Sequence, residues 1–272
     1  MKNVLTNEIP FTITGTNQFT FESEKNRLYQ IHVSIPNEVP PETGFPIIYL
    51  LDGNSIFGTV VEAVRIQSRK PEKTGVIPSI VVGVGYPTSE PFSKERFYDY
   101  TMGEPEIEIP SNKMDGATSQ RHGGADEFLQ FLQNELKPAM EQTYPIDQKK
   151  QTLFGHSLGG LFVLHTLFTR PTFFQTYIAG SPSIHWNQSI ILKEESQFHQ
   201  LCETGEIEAN VLVGIGELER WHHTNVGELA KSMVDRLTTR SGLKVEFIQF
   251  ENEGHVSVLP PLITRSLRFA LR

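Results

Sequence analysis

Residues 155–159 read Gly-His-Ser-Leu-Gly, the pattern G-x-S-x-G, and this setting argues that Ser157 is a nucleophile. In that pattern a strand ends, the chain reverses sharply into a helix, and the serine at the apex takes a strained backbone that exposes its hydroxyl. Gly155 and Gly159 are expected to let strand and helix approach closely. The flanks agree: residues 151–154 (Gln-Thr-Leu-Phe) have strand composition, while Leu161, Val163, Leu164, Leu167 and Phe168 recur at helical spacing. The N-terminus of that helix, with its free N–H groups and positive dipole end, would face an oxyanion formed at Ser157. A glycine-rich turn without chemistry is the competing reading, and the strand before and helix after weigh against it.

A serine hydroxyl is a poor nucleophile near neutral pH and needs a base within hydrogen-bond reach. Of the nine histidines, His255 follows the last predicted strand and precedes the last helix, the place from which this strand–elbow–helix architecture delivers its base. His156 adjoins Ser157, but on a tight turn it would point away from its neighbour's hydroxyl. His222 and His223 read as surface residues. The chain order Ser, acid, His places the acid after the seventh strand, where residues 216–219 (Gly-Glu-Leu-Glu) offer two carboxylates. Glu219 lies further past the strand end and is preferred, with Glu217 as the reserve. A Ser157–His255 dyad with both carboxylates solvated stays open.

The elements needed to position these groups can be read along the chain. Strand-like runs at 11–21 and 28–35 flank a polar turn and predict an opening antiparallel hairpin. Residues 45–51 form a continuous apolar run, expected to be a strand buried on both faces. Behind it, Gly53 and Asn54 stand where the fold draws its second oxyanion donor from a backbone N–H; a plain Asp-Gly turn is the alternative. A crossover helix is expected at 55–69, a strand at 79–84, and a helix at 124–144 that Pro138 should bend or restart. Between these, residues 85–122 form a long insertion or loop rich in Pro, Ser and charge, and loops of that length in a compact domain are usually functional. Further strands are expected at 174–179, 210–216 and 241–250, with helices at 188–205 and 258–271. Trp186, after the first of these, is either a stacking wall of the pocket or a core aromatic. The sum is an α/β fold, a mostly parallel eight-stranded sheet flanked by helices, in one domain spanning 1–272.

Composition narrows the function. Lys+Arg number 24 against Asp+Glu 32, a net charge of −8, which disfavours nucleic acid and anionic membranes as partners. Cys202 is the only cysteine, so an intrachain disulfide and a Cys-based zinc site are excluded. No P-loop or H-E-x-x-H motif is present, and Glu219 stands where a dinucleotide fingerprint beginning at Gly214 needs its third glycine. No cofactor and no metal are expected. The first residues lack the apolar run of a secretory signal and no stretch is long enough to span a bilayer, so a cytoplasmic protein is expected.

Residues 155–162, the Phe-Thr-Arg-Pro at 168–171, Gly-Ser-Pro-Ser at 180–183 with Trp186-Asn187, Tyr-Leu-Leu-Asp-Gly at 49–53, and Gly254-His255 with the terminal 266–271 together resemble the esterase D-like α/β-hydrolases. Within these the chain is most similar to the siderophore trilactone esterases of the enterobactin, salmochelin and bacillibactin type, from about residue 30 onward. The resemblance implies Ser157 as nucleophile, His255 as base, and backbone N–H groups of Leu158 and of Gly53 or Asn54 as the oxyanion hole. Some siderophore esterases are Ser–His dyads, which keeps the acid open. The implied partner is a small-molecule ester, extending to a ferric siderophore; a general carboxylesterase, an S-formylglutathione-hydrolase-like thioesterase, and a catalytically dead binding protein are the alternatives. Ferric tricatecholates are strongly anionic, so a basic cluster would have to overcome the net charge. Arg65, Arg69, Lys70, Lys94, Arg96 and Arg121 are its candidates.

Overall fold

The computed structural model describes residues 9–106, 121–203, 205, 207–221 and 225–271. Residues 107–120 of the long segment, and His222 and His223, lie outside the described residues. Eight strands form one sheet: β1 (Thr16–Glu22), β2 (Leu28–Ser34), β3 (Phe45–Leu51), β4 (Ile80–Gly85), β5 (Ile146–His156), β6 (Thr176–Gly180), β7 (Ala209–Gly216) and β8 (Leu243–Phe250), in the order β1-β2-β4-β3-β5-β6-β7-β8. The β1–β2 and β2–β4 pairs are antiparallel and every other pair is parallel. The chain steps outward from β3 to β4, then returns past β3 to β5. That reversal opens a crevice at the carboxyl ends of β3 and β5, the position at which open α/β sheets bind ligands.

Alternation along the inner strands divides the apolar residues between two cores. Ile47, Tyr49 and Leu51 of β3 face a core completed by Phe128, Phe131, Phe162 and Phe198. Ile48 and Leu50 face the opposite core, built from Ile56, Val60 and Val64 of helix α1 (Gly53–Gln67) and Leu262, Ile263 and Leu267 of the last helix. Complete burial of β3 follows from this double cover. The short helices α2 (Pro71–Thr74) and α3 (Arg96–Asp99) flank β4, so the segment predicted as a long loop begins with ordered structure.

The helix expected at 124–144 is continuous but changes pitch. α4 (Ala125–Phe131) runs into a π-turn over Leu132–Leu136 and then α5 (Lys137–Thr143). Pro138 near the start of α5 has no N–H to donate and its ring crowds the carbonyl one turn back, so the chain widens there instead of bending sharply. α6 (Leu158–Thr169) is buried from Leu158 to Phe168, and α7 spans Gln188–Cys202. A helix absent from the sequence reading, α8 (Val226–Leu237), follows β7, and α9 (Leu259–Ala270) closes the chain. The buried stripe of α8 is Val226, Gly227, Ala230, Met233, Val234 and Leu237, at helical spacing between charged residues. β1 starts later than the 11–21 run suggested: Gly15 at φ +80° makes a turn closed by the Thr16 N–H on the Ile13 carbonyl.

Candidate active site

Ser157 caps α6 with φ 60° and ψ −119°, a backbone that crowds any Cβ. Its N–H donates to the Gly180 carbonyl (2.9 Å), locking the elbow onto the end of β6. A Cβ at Gly155 would sit 2.2 Å from the Gly159 carbonyl oxygen, so glycine is required there. Gly159 departs from expectation: its Cβ would meet nothing nearer than 3.4 Å, an ordinary contact. The second strict requirement falls on Gly160, where a Cβ would stand 2.7 Å from the Gly180 oxygen and 3.0 Å from Pro182 Cα.

Two neighbouring connections bring the remaining groups to this apex. After β8, His255 places Nε2 3.0 Å from Ser157 Oγ. After β7, in a short 3-10 turn (Glu217–Trp221), Glu219 places Oε2 2.7 Å from His255 Nδ1. Glu219 is 4% exposed, and its other oxygen accepts from Ser181 Oγ (2.6 Å) and the Gly216 N–H (2.7 Å). Burial alone would raise this carboxyl, but hydrogen bonds from His255, Ser181 and Gly216 outweigh it and hold the group below the ordinary glutamate range. It therefore stays an acceptor, His255 Nδ1 carries the ring proton, and Nε2 is left with a lone pair toward Ser157. Glu217 is engaged elsewhere, accepting from the Asn252 N–H at 3.1 Å.

His156 turns away from Ser157, as its place on the turn implied, and acquires a different part. Burial, reinforced by the adjacent His255, pushes its imidazole down to about 3, so it is neutral near pH 7. Nε2–H donates to the His255 carbonyl at 2.6 Å, and the two rings lie 4.8 Å apart, which fixes the backbone that carries His255. Ser181 and Ser183 were also missed as site residues. Both serines belong to the loop 180–187, and only three-dimensional contact shows that they turn inward. Ser183 Oγ is 3.2 Å from Ser157 Oγ, and its N–H donates to the Ser157 carbonyl (3.1 Å).

The pocket over these groups has a volume of about 310 Å³, and Arg96, Phe97, Leu158, Ser183, His185, Trp186 and Val226 join Ser157, Glu219 and His255 around it. Trp186 lines the pocket and packs its ring against Phe97 (5.6 Å) and His122 (5.8 Å). The arginines fare differently. Arg96 reaches the pocket, yet its guanidinium is buried and bonded twice to Asp52, Nε to Oδ1 at 2.8 Å and Nη2 to Oδ2 at 2.9 Å. Its charge is thus largely spent within the protein. Arg65 does not belong to the site: it pairs with Glu62 on α1 and faces a separate groove with Ser34, Pro36 and Ser79, at the opposite end of the strands. Arg121 stacks over the Tyr98 ring at 4.3 Å and does not line the pocket. Gly53 and Asn54 are also outside the lining; the Asn54 carboxamide stitches α1 to the chain leaving β4, accepting from Tyr86 N–H (2.8 Å) and donating to the Tyr86 (2.9 Å) and Thr88 (3.1 Å) carbonyls.

A mostly parallel eight-stranded sheet flanked by helices, an elbow serine after β5 and a histidine after the last strand define an α/β-hydrolase. The chain belongs to the Esterase family, whose profile, described as putative esterase, matches residues 23–239. It is 51% identical over 264 residues to the ferri-bacillibactin esterase BesA of Bacillus subtilis, covering 96% of this chain and 91% of that protein. It is 31% identical to the apo-salmochelin esterase of Escherichia coli, over 93% of this chain and 76% of the other. The crystal structure of the BES protein from Bacillus cereus superposes with a TM-score of 0.89 at 42% identity, covering 97% and 99% of the two chains. Among the described residues, no helix is long and apolar enough to cross a membrane.

Proposed function

We propose that this chain is a serine ester hydrolase that cleaves the lactone esters of a catecholate trilactone siderophore and so frees its iron. Ser157 Oγ attacks the ester carbonyl as its proton passes to His255 Nε2; Glu219 holds the imidazolium that forms. The Leu158 N–H, at the start of α6, faces the developing oxyanion. His255 then returns the proton to the leaving alkoxide, and water, activated by the same ring, releases the acid. The observation that carries this reading is the unbroken run Glu219–His255–Ser157, with contacts of 2.7 and 3.0 Å. Similarity to a ferri-bacillibactin esterase along nearly the whole chain supports the substrate class. The Phe97–Trp186 wall supports it too, since planar catechol rings pack favourably against aromatic faces. A single buried cysteine suits a reducing compartment, and we place the enzyme in the cytoplasm.

The test is hydrolysis of apo and ferric trilactone siderophores beside short p-nitrophenyl esters, by wild type and Ser157→Ala. The trilactones should give the higher kcat/KM, and Ser157→Ala should lose about a million-fold in turnover while keeping its melting temperature. Faster turnover of the short esters would make the chain a general carboxylesterase. Retention of more than about a hundredth of turnover in the variant would remove Ser157 from the mechanism.

A further inference from the structure

Proton accounting at the elbow leaves one hydroxyl without an assigned task. His255 Nδ1–H is committed to Glu219, so Nε2 can only accept, and the single proton of the Ser157 hydroxyl must lie on the 3.0 Å contact to it. The 3.2 Å contact between Ser157 Oγ and Ser183 Oγ then has one possible direction: Ser183 donates and Ser157 accepts. Ser183 is held for this purpose, being 5% exposed, with its N–H on the Ser157 carbonyl (3.1 Å) and its carbonyl taking the Trp186 N–H (3.0 Å).

We propose that the Ser183 hydroxyl is a catalytic hydrogen-bond donor that passes from the nucleophile to the oxyanion during ester cleavage. This rests on Ser157 being the nucleophile. When Ser157 Oγ bonds to the carbonyl carbon, its proton goes to His255 Nε2 and the carbonyl π pair moves onto the substrate oxygen. Oγ becomes a weaker acceptor at the moment when the oxygen on the same carbon gains negative charge. The two oxygens share that carbon, so a donor touching one reaches the other by rotating about its own Cα–Cβ bond. No bond to Ser183 forms or breaks. The pair Ser181–Ser183 thereby serves both ends of the relay, Ser181 on the acid and Ser183 on the nucleophile.

The experiment compares Ser183→Thr with Ser183→Val, side chains of one shape that differ in whether a hydroxyl is present. Readouts are the rate of fluorophosphonate labelling, with the labelled residue mapped by mass spectrometry, and kcat and KM on p-nitrophenyl butyrate. A hydrogen bond to a charged oxygen corresponds to about ten- to hundred-fold in rate. The Thr variant should exceed the Val variant by that factor in labelling and kcat, with KM and melting temperature alike in the two. Equal rates, with wild type labelled at Ser157, would overturn the role of Ser183 alone. A wild type that takes no label at Ser157 would overturn the nucleophile assignment, and this inference with it.

Discussion

Replacing Glu219 by Gln changes one atom and should nearly silence the enzyme. Oε1 of Glu219 receives two donors, Ser181 Oγ at 2.6 Å and the Gly216 N–H at 2.7 Å, whereas Oε2 faces His255 Nδ1 alone. A glutamine must keep its oxygen with the two donors, since an amide NH2 there would meet the Gly216 N–H head-on. Its NH2 is then forced against His255 Nδ1, which can only accept from it. The ring proton moves to Nε2, and Ser157 faces an N–H in place of the lone pair that should take its proton. Burial of the carboxylate keeps solvent from relieving the mismatch. The loss in kcat should approach about ten-thousand-fold, or about 5 kcal/mol in the barrier, the cost known for forcing the wrong tautomer on a triad histidine. Turnover of p-nitrophenyl butyrate near neutral pH, with Glu217→Gln alongside as a near-wild-type control, measures it. If Glu219→Gln keeps turnover within about tenfold of wild type, the imidazolium is stabilised by some other group and the site works as a dyad.

Two further expectations concern the scaffold. Gly160→Ala drives a methyl group to within 2.7 Å of the Gly180 oxygen, against the loop that carries Ser181 and Ser183, while Gly159→Ala makes only a 3.4 Å contact. Gly160→Ala should therefore lose about 1–3 kcal/mol of stability and much of its activity, and Gly159→Ala should melt near wild type; the reverse ranking in thermal melts would refute the packing argument. His165 on α6 is buried; burial pulls its imidazole down, but Asp126 and Glu194 outweigh this and hold it up at about 9. Because that value lies above the unfolded 6.5, the stabilisation is complete below 6.5 and is lost as pH rises through about 9. The gap in urea midpoint between wild type and Glu194→Gln should shrink across that window, and a constant gap would show that the pair does not titrate there.

The groups that hang from strand ends were legible in the sequence. Ser157, His255 and Glu219 each follow a strand-like run, continuous for β5 and β7 and alternating for β8, whose end could be read to within a few residues, and the order of the runs fixed which loop each group occupied. The arginines were not legible, because a cation's availability depends on partners distant in sequence: Asp52 read as part of a turn, and only the packing of α3 against α4 and α6 delivers Arg96 to it across 44 residues. Ser181, Ser183 and His156 escaped for a related reason. Their roles are hydrogen bonds across adjacent loops, and periodicity carries no record of which way a loop side chain turns. Helix α8 was a different kind of miss, since its stripe of Val226, Ala230, Met233, Val234 and Leu237 stands at helical spacing in the sequence.

The backbone at Ser157 sets folding and chemistry at odds over a single position. At φ 60°, the conformation favours glycine, and holding a side chain there costs of order 1–3 kcal/mol, against a net stability of about 10 kcal/mol for an ordinary domain. Yet glycine would bring no hydroxyl to the apex. On the mechanism proposed here, serine at 157 is kept by selection for ester cleavage. In a descendant that kept this fold for binding alone, mutational drift would favour glycine at the centre of the elbow, and a Gly-His-Gly-Leu-Gly at this turn would be the mark of a lineage that had given up catalysis.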